Sequence, residues 1–174
     1  ACLRWDLDAL AANPDSDWLL HEGPAAGSEA MLAALNGAQA GTLVLWEVMD
    51  RVVTPGFGPE DFNDLIDRVE NHLAMVFHRL LQGTRPRLRL YINDGAVSPW
   101  DPFMTGHPAK PWASPVARIG TDSGPVEVEC HVLPHKDRLT EAEFKAAAGP
   151  DGWTSQQGFY VYRNERLLVS GGWL

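Results

Sequence analysis

Cysteine is scarce in this sequence, with only Cys2 and Cys130 present and no CxxC spacing. Two such residues do not form a disulfide-dense scaffold, so we expect a reducing, cytoplasmic location. No apolar run approaches the roughly 20 residues that span a bilayer. The first residues also lack the basic segment and apolar stretch of a signal peptide. We therefore expect no association with a membrane.

Basic residues are outnumbered, because 14 Lys and Arg stand against 23 Asp and Glu, and the formal net charge is -9. A surface of this charge repels nucleic acid overall, so net charge does not indicate a nucleic-acid partner. The 174 residues, 45% of them hydrophobic, suffice for one globular domain with part of a neighbour. The first residue is not methionine, which suits a piece of a longer protein.

The common catalytic and nucleotide-binding signatures are absent. There is no GxSxG elbow, Walker loop or GxGxxG fingerprint. The GTDSG segment at residues 120–124 is able to cradle an anion, but its position between two predicted strands favours a hairpin turn. The acidic residues along the long predicted helix are interpreted as a solvated face.

The histidines do not form a pattern typical of a metal site. His72 and His78 are six positions apart on one predicted helix, so they face different directions, and we expect one to be exposed and the other partly buried. Cys130, His131 and His135 are close in sequence, but consecutive strand residues point to opposite faces. We therefore predict no metal ligand in this chain.

The hydrophobic pattern predicts an α+β fold with helices covering one face of the sheet. Residues 1–40 are interpreted as a connector or the tail of an upstream domain, and residues 41–174 as the α+β domain. The predicted elements are a buried strand at 42–46, a long amphipathic helix from Pro59 to a stop at Gly83, strands at 88–92 and 126–132, a short helix capped by Thr140 and Glu143, and a closing hairpin that turns at 163–166.

Two features outside these elements offer candidate sites. Residues 96–115 form a long loop rich in proline and tryptophan, which is typical of a functional or packed loop. Lys136 follows a strand and precedes a capped helix, so its side chain projects from a short ordered loop where it can reach an anion. On spacing alone, the simpler interpretation of Lys136 is a solvated surface lysine.

Four segments, in this order, resemble the region that follows the nucleotide-binding domain of GHKL ATPases (gyrase, chaperone, histidine kinase, MutL), especially a bacterial group related to the microrchidia family. The segments cover most of the chain after Gly41. They are GTLVLWEVMDRV (41–52), YINDGAVSPWDPF (91–103), VEVECHVLPHKDRLTEAEF (126–144) and QGFYVYRNERLLVSGGW (157–173).

The resemblance implies a transducer domain like the second domain of ribosomal protein S five, a mixed sheet with a long and a short helix on one face and a left-handed βαβ crossover. It implies that a lysine after a transducer strand contacts the terminal phosphate of ATP bound to the upstream nucleotide-binding domain, and Lys136 matches that position. ATP, magnesium and homodimerisation are implied for the full-length protein.

The motifs that bind magnesium-ATP in these proteins are missing here, namely a helix bearing Glu and Asn, an Asp-x-Gly-x-Gly loop and a glycine-rich lid. We therefore expect a transducer module that is not an ATPase by itself. Two alternatives stay open. One is a free-standing small-molecule enzyme with a pocket at loop 96–115, and the other is a protein-interaction domain with no link to nucleotides.

Overall fold

The computed structural model describes residues 2–12, 19–33, 37, 39–149 and 152–173. The chain forms two compact units, residues 1–55 and residues 56–174, and each is described by itself. The predicted division of the chain between residues 40 and 41 stays a prediction. No helix in the described ranges is both long and apolar enough to cross a membrane.

The first unit is built from short elements. Ser28 precedes the second helix, but its hydroxyl does not cap that helix. Instead it donates to the carboxylate of Glu47, at 2.9 and 2.8 Å from the two oxygens. The elements are β1 (Leu3–Arg4), α1 (Leu7–Ala12), β2 (His21–Glu22), which pairs antiparallel with β1, and α2 (Glu29–Leu32).

Residues 42–46, predicted to be a buried strand, form no strand in the structure. Val44 and Trp46 expose 69% and 78% of their surface. The prediction is wrong for this chain because β-favouring residues form a strand only where another strand satisfies their backbone groups. Among the described residues, no strand pairs with this segment.

The long helix α3 (Pro59–Val76) begins where the sequence predicts. Pro59 occupies its first turn, and the Gly58 amide donates to the Asp61 carboxylate at 2.8 Å. A single helix up to Gly83 was expected, and this expectation is wrong at Phe77, where φ is -108° and ψ is 11°. The chain resumes as α4 (His78–Leu81). The interruption falls beside His78, which is almost fully buried.

The core of the second unit forms where these helices meet the next segment. The predicted apolar face of residues 88–92 is confirmed, because Leu88, Leu90 and Ile92 pack on the buried cluster of Ala74, Leu81 and Val97. The hydrogen-bonded strand is shorter than the predicted 88–92, since only β3 (Tyr91–Ile92) pairs with another strand, β4 (Gly95–Ala96). Asn93 and Asp94 form the turn between these strands, with positive φ angles of 46° and 67°.

The later elements agree only in part with the sequence pattern. The single strand predicted at 126–132 is wrong, because Cys130 bonds to Ser114 instead of continuing the ladder, and residues 124–128 and 131–132 pair with different strands. The predicted capped helix and closing hairpin are both present, and Asn164 has the left-handed φ of 51° that its turn needs. The elements are β5 (Trp112–Ala113), β6 (Ala117–Thr121), β7 (Gly124–Val128), β8 (His131–Val132), a 3-10 turn (Lys136–Arg138), α5 (Glu141–Ala147), β9 (Tyr160–Arg163) and β10 (Arg166–Ser170).

The protein is therefore an α+β fold, as predicted, but its described strands form separate sheets. The pairs are β1 with β2, β3 with β4, β5 with β8, β6 with β7 and β9 with β10, all antiparallel. Most of them join strands linked by short turns. The hydrogen bonds that would merge them into one mixed sheet are not formed within the described ranges. Helix α3 packs on β10.

Candidate functional site

Lys136 lies on the 3-10 turn between β8 and α5, in the short loop that the sequence predicts. The Leu139 amide donates to the Lys136 carbonyl at 3.0 Å, so the turn is ordered by its own backbone. Thr140 and Glu143 then close a capping box at the start of α5. The Lys136 side chain is exposed, and no described residue forms an ion pair or hydrogen bond with its ammonium group.

The strand that leads to Lys136 is fixed by an aromatic stack. The His131 ring of β8 lies parallel to Phe103, with 4.0 Å between the ring centroids and an interplanar angle of 18°. Phe103 in turn meets the ring of Tyr160 edge on at 5.0 Å. Because edge-to-face and stacked rings resist sliding, this series of contacts connects the Lys136 loop to the hairpin formed by β9 and β10.

Loop 96–115 supplies Phe103, and Asp101 shapes that part of the loop. The Asp101 carboxylate accepts hydrogen bonds from the amides of Phe103 and Thr105, at 2.9 and 2.8 Å, and from the Thr105 hydroxyl. Partial burial on its own raises the pKa of Asp101, but these hydrogen bonds and nearby His78 outweigh it and hold the pKa below its usual value. Asp101 is therefore ionised at neutral pH, and its hydrogen bonds stabilise this part of the loop.

Beyond Phe103, a buried polar contact joins the hairpin to α4. The Nε2 atom of His78 lies 2.8 Å from the Tyr162 hydroxyl oxygen, and the Gln82 amide nitrogen lies 3.4 Å from His78 Nδ1. Both contacts are satisfied if Nε2 carries the proton and donates to Tyr162. The Arg79 guanidinium carbon is 3.6 Å from the centroid of the Tyr162 ring, a cation–π contact.

Burial keeps this pair uncharged. It lowers the pKa of His78 to about 4, against an opposing effect of Asp101 and with a smaller contribution from Arg79. Burial likewise raises the pKa of Tyr162 far above its usual value. Neither group exchanges a proton readily near neutral pH, which a general acid or base must do. We name the set His78, Asp101, Phe103, His131, Tyr160 and Tyr162 the ring cluster. Its contacts suit a structural connection between elements better than acid–base catalysis.

The remainder of loop 96–115 is packed against helices. The Trp100 amide donates to the Ala74 carbonyl of α3 at 3.1 Å, and its indole Nε1 donates to the Ala146 carbonyl of α5 at 3.0 Å. His107 Nε2 lies 3.1 Å from the Glu143 carboxylate. The two clefts of the second unit described here lie along α3, and no residue of the loop lines either of them. The enzyme pocket at this loop stays a prediction.

The other candidates from the sequence are also placed. Residues 120–124 turn between β6 and β7, so the hairpin interpretation is confirmed. His72 is exposed and His78 is 2% exposed, as their spacing predicts. Cys130, His131 and His135 are not gathered, and the described part of the chain holds no group of three or more His, Cys, Asp or Glu side chains suited to a metal ion.

Comparisons with known proteins give no relative. No protein-family model matches the sequence, and neither the curated proteins nor the solved structures contain a match. No relative therefore assigns a role to these residues. Sequence reasoning missed the ring cluster, whose members come from four separated segments. The one signal available was the two-residue spacing of Tyr160 and Tyr162, which places both on one face of a strand.

Proposed function

We propose that this chain is the transducer module of a larger GHKL-type ATP-binding protein, and that it couples the ATP state of an upstream nucleotide-binding domain to domain closure or dimerisation. The proposal includes a transducer-like arrangement of α3 and α5, although the described strands pair as separate antiparallel sheets rather than one mixed sheet. By itself the chain does not hydrolyse ATP. The observation that carries the proposal is Lys136, an exposed cation without a partner among the described residues, on an ordered turn connected to the ring cluster.

A lysine in this position is chemically suited to sense a terminal phosphate. A cation that reaches the phosphate on closure neutralises the charge that develops during phosphoryl transfer. It is also attracted less strongly once that phosphate has left. Because the turn is held by backbone hydrogen bonds and by the capped helix α5, displacement of the lysine moves the whole turn rather than the side chain alone.

The ring cluster provides a route by which that movement reaches the rest of the unit. The last strand before the Lys136 turn is β8, and the ring of its first residue, His131, stacks on Phe103. Phe103 contacts Tyr160, and Tyr162, two residues along the same strand, bonds to His78 at the start of α4. A shift of the turn therefore repacks rings that contact the hairpin and α4, and packed interiors respond to such shifts as units.

The exposure of residues 42–46 also supports a contact with a partner domain. They are β-favouring and apolar, yet unpaired among the described residues and largely exposed. A strand from the upstream nucleotide-binding domain would satisfy their backbone groups and cover Trp46. The proposal assigns magnesium-ATP to that domain, and Lys136 is the contact that this chain contributes.

Lys136 substitutions in the full-length protein test the proposal. Lys136→Ala is expected to lower kcat for ATP hydrolysis by roughly a hundredfold, the order of effect of removing one group that stabilises transition-state charge. Lys136→Arg keeps the charge and is expected to retain part of the activity. Lys145→Ala, which removes an exposed lysine from α5, is the matched control and should have no effect. Unchanged turnover in Lys136→Ala would refute the proposed role.

A second measurement tests the division of labour between domains. Calorimetric titration of this chain with magnesium-ATP is expected to show no binding, because the chain lacks the Glu, Asn and glycine motifs of the pocket. Micromolar binding would overturn the assignment of the nucleotide to an upstream domain.

A further inference from the structure

A cleft of about 500 Å³ lies between the C-terminal half of α3 and strand β10. Its helix wall includes Arg68, His72 and Met75, and its strand wall includes Leu167 and Leu168. Consecutive residues of a strand point to opposite faces of the sheet. The pairing of β10 with β9 shifts register between Leu167 and Val169, so this alternation is interrupted at Leu168 and both leucines line the same cleft.

The edge of β10 that does not face β9 is free of other strands in the described structure. The strand pairs with β9 on one side, and none of the other described strands pairs with it. Leu168 exposes 54% of its surface and Val169 exposes 39%. A free edge presents unpaired N–H and C=O groups that pair readily with another extended chain. The cleft thus offers backbone hydrogen bonds on one wall and side chains of a helix on the other.

The charged side chains among the described lining residues of the cleft are both basic. Arg68 and Arg166 line it, and no described Asp or Glu does, although the chain as a whole has a net charge of -9. The Arg68 Nε donates to the Asp64 carbonyl at 3.3 Å, and the Arg166 guanidinium lies 5.5 Å from the centroid of the Phe77 ring. Neither arginine has a carboxylate partner among the described residues.

Acidic residues define the opposite end of the helix. Asp61, Asp64 and Asp67 line an adjoining depression toward the start of α3, which shares Arg68 and Asn71 with the cleft. Anions are repelled from that end and attracted to the end near Arg166. The charge distribution therefore places the anionic groups of a ligand toward the Arg166 end of the cleft.

We propose that this cleft binds an extended, acidic peptide segment of a partner protein, which adds a strand to the free edge of β10. Backbone hydrogen bonds to the edge hold the segment, and alternate side chains read its sequence. Apolar side chains of the segment pack on Met75 and Leu168, and carboxylates pair with Arg68 and Arg166. The proposal is independent of the role of Lys136, because none of these residues belongs to the Lys136 turn or the ring cluster.

The test is a titration of the complete 174-residue chain, isotopically labelled, with a blocked octapeptide that alternates valine and glutamate. Backbone amide shifts in NMR spectra report the contact. We expect saturable shifts at residues 166–170 and at Arg68, His72 and Met75. A peptide with lysine in place of glutamate, and a peptide N-methylated at alternate residues so that one edge cannot donate hydrogen bonds, are both expected not to bind.

Two substitutions locate the charge contacts. Arg166→Gln and Arg68→Gln are each expected to weaken binding about tenfold, the effect of losing one charge-assisted hydrogen bond. Arg118→Gln, in the exposed hairpin of β6 and β7, is the matched control and should leave affinity unchanged. Shifts that map outside the cleft would overturn the proposal.

Three further outcomes also count against it. Equal binding of the N-methylated peptide would show that the edge of β10 is not used. Equal competition by inorganic phosphate at the peptide's concentration would indicate a simple anion site. A concentration-dependent dimer that blocks the peptide, seen by sedimentation, would show that a second copy of this chain occupies the cleft.

Discussion

His78 Nε2 lies 2.8 Å from the hydroxyl oxygen of Tyr162, a residue 84 positions further along the chain. The two rings meet nearly edge on, with 5.6 Å between their centroids. This contact joins α4 to the closing hairpin. Because His78 exposes only 2% of its surface, water cannot replace a lost partner, and the stability of the second unit depends on the pair staying intact and uncharged.

Acidification is expected to destabilise the protein through His78. Burial lowers the pKa of this imidazole from 6.5 to about 4, so between these values the unfolded chain binds a proton that the folded chain does not. The contribution of His78 is constant above about 6.5 and falls by about 3 kcal/mol as the pH decreases to about 4. It changes no further at lower pH.

Urea unfolding across this pH range measures the effect. The free energy of unfolding of His78→Gln, which has no titrating ring, is expected to vary less with pH than that of the native chain. His72→Gln, on the exposed side of α3, is the control and should keep the native pH dependence. The same pH dependence in the native chain and in His78→Gln would contradict the prediction.

Tyr162→Phe removes the hydroxyl while keeping the ring over Phe103 and Arg79. The buried His78 then lacks a hydrogen-bond partner at Nε2, and we expect a loss of about 1–3 kcal/mol in the free energy of unfolding. Tyr91→Phe is the matched control, because Tyr91 is 60% exposed in β3, and its effect should stay within about 0.5 kcal/mol. Equal effects in chemical denaturation of the two variants would show that the hydrogen bond contributes little.

The local parts of this fold were predictable from sequence. The start of α3 at Pro59, the capping box of Thr140 and Glu143, and the turn at Asn164 each depend on residues within one helical turn or one hairpin. Such signals act over a few residues, so neighbouring letters reveal them. The same holds for the exposed His72 and the buried His78, which helical geometry separates.

The non-local parts were not predictable. Residues 42–46 have the composition of a buried strand, but only a paired strand is buried, and pairing depends on residues far away in sequence. The break at Phe77 carries no glycine or proline, and it adjoins a contact to Tyr162. The ring cluster likewise needs four segments in place. Periodicity reports which face of an element is apolar, but not which element covers it.

Two adjacent residues of β10 give a direct test of the packing. Leu167 is 3% exposed, whereas Leu168 is 54% exposed. Leu167→Ala is expected to lower the free energy of unfolding by about 2–5 kcal/mol, the range for removing a buried leucine side chain. Leu168→Ala, one residue along, should cost less than about 1 kcal/mol. Similar midpoints in thermal and urea unfolding of the two variants would contradict the assigned register of β10.

The capping box at α5 predicts an unusually acidic carboxyl group. Glu143 accepts hydrogen bonds from the Thr140 amide at 2.7 Å and the Thr140 hydroxyl at 2.8 Å, and it contacts His107 at 3.1 Å. These bonds, the Thr140 amide first, lower the pKa of Glu143 from 4.5 to about 2. The stabilisation from this group is therefore complete above about 4.5 and is lost as the pH falls toward 2.

Titration of the Glu143 side-chain carbonyl carbon by NMR checks this value. The midpoint in the native chain is expected near 2. Thr140→Ala removes the hydroxyl donor and is expected to move the midpoint upward, whereas Thr140→Ser keeps a donor in place and should hold it near the native value. His107→Asn removes the side-chain contact from His107 and is also expected to raise the midpoint. Identical midpoints in Thr140→Ala and Thr140→Ser would mean that the hydroxyl does not set the acidity of Glu143, and that the start of α5 is held by the backbone amide alone.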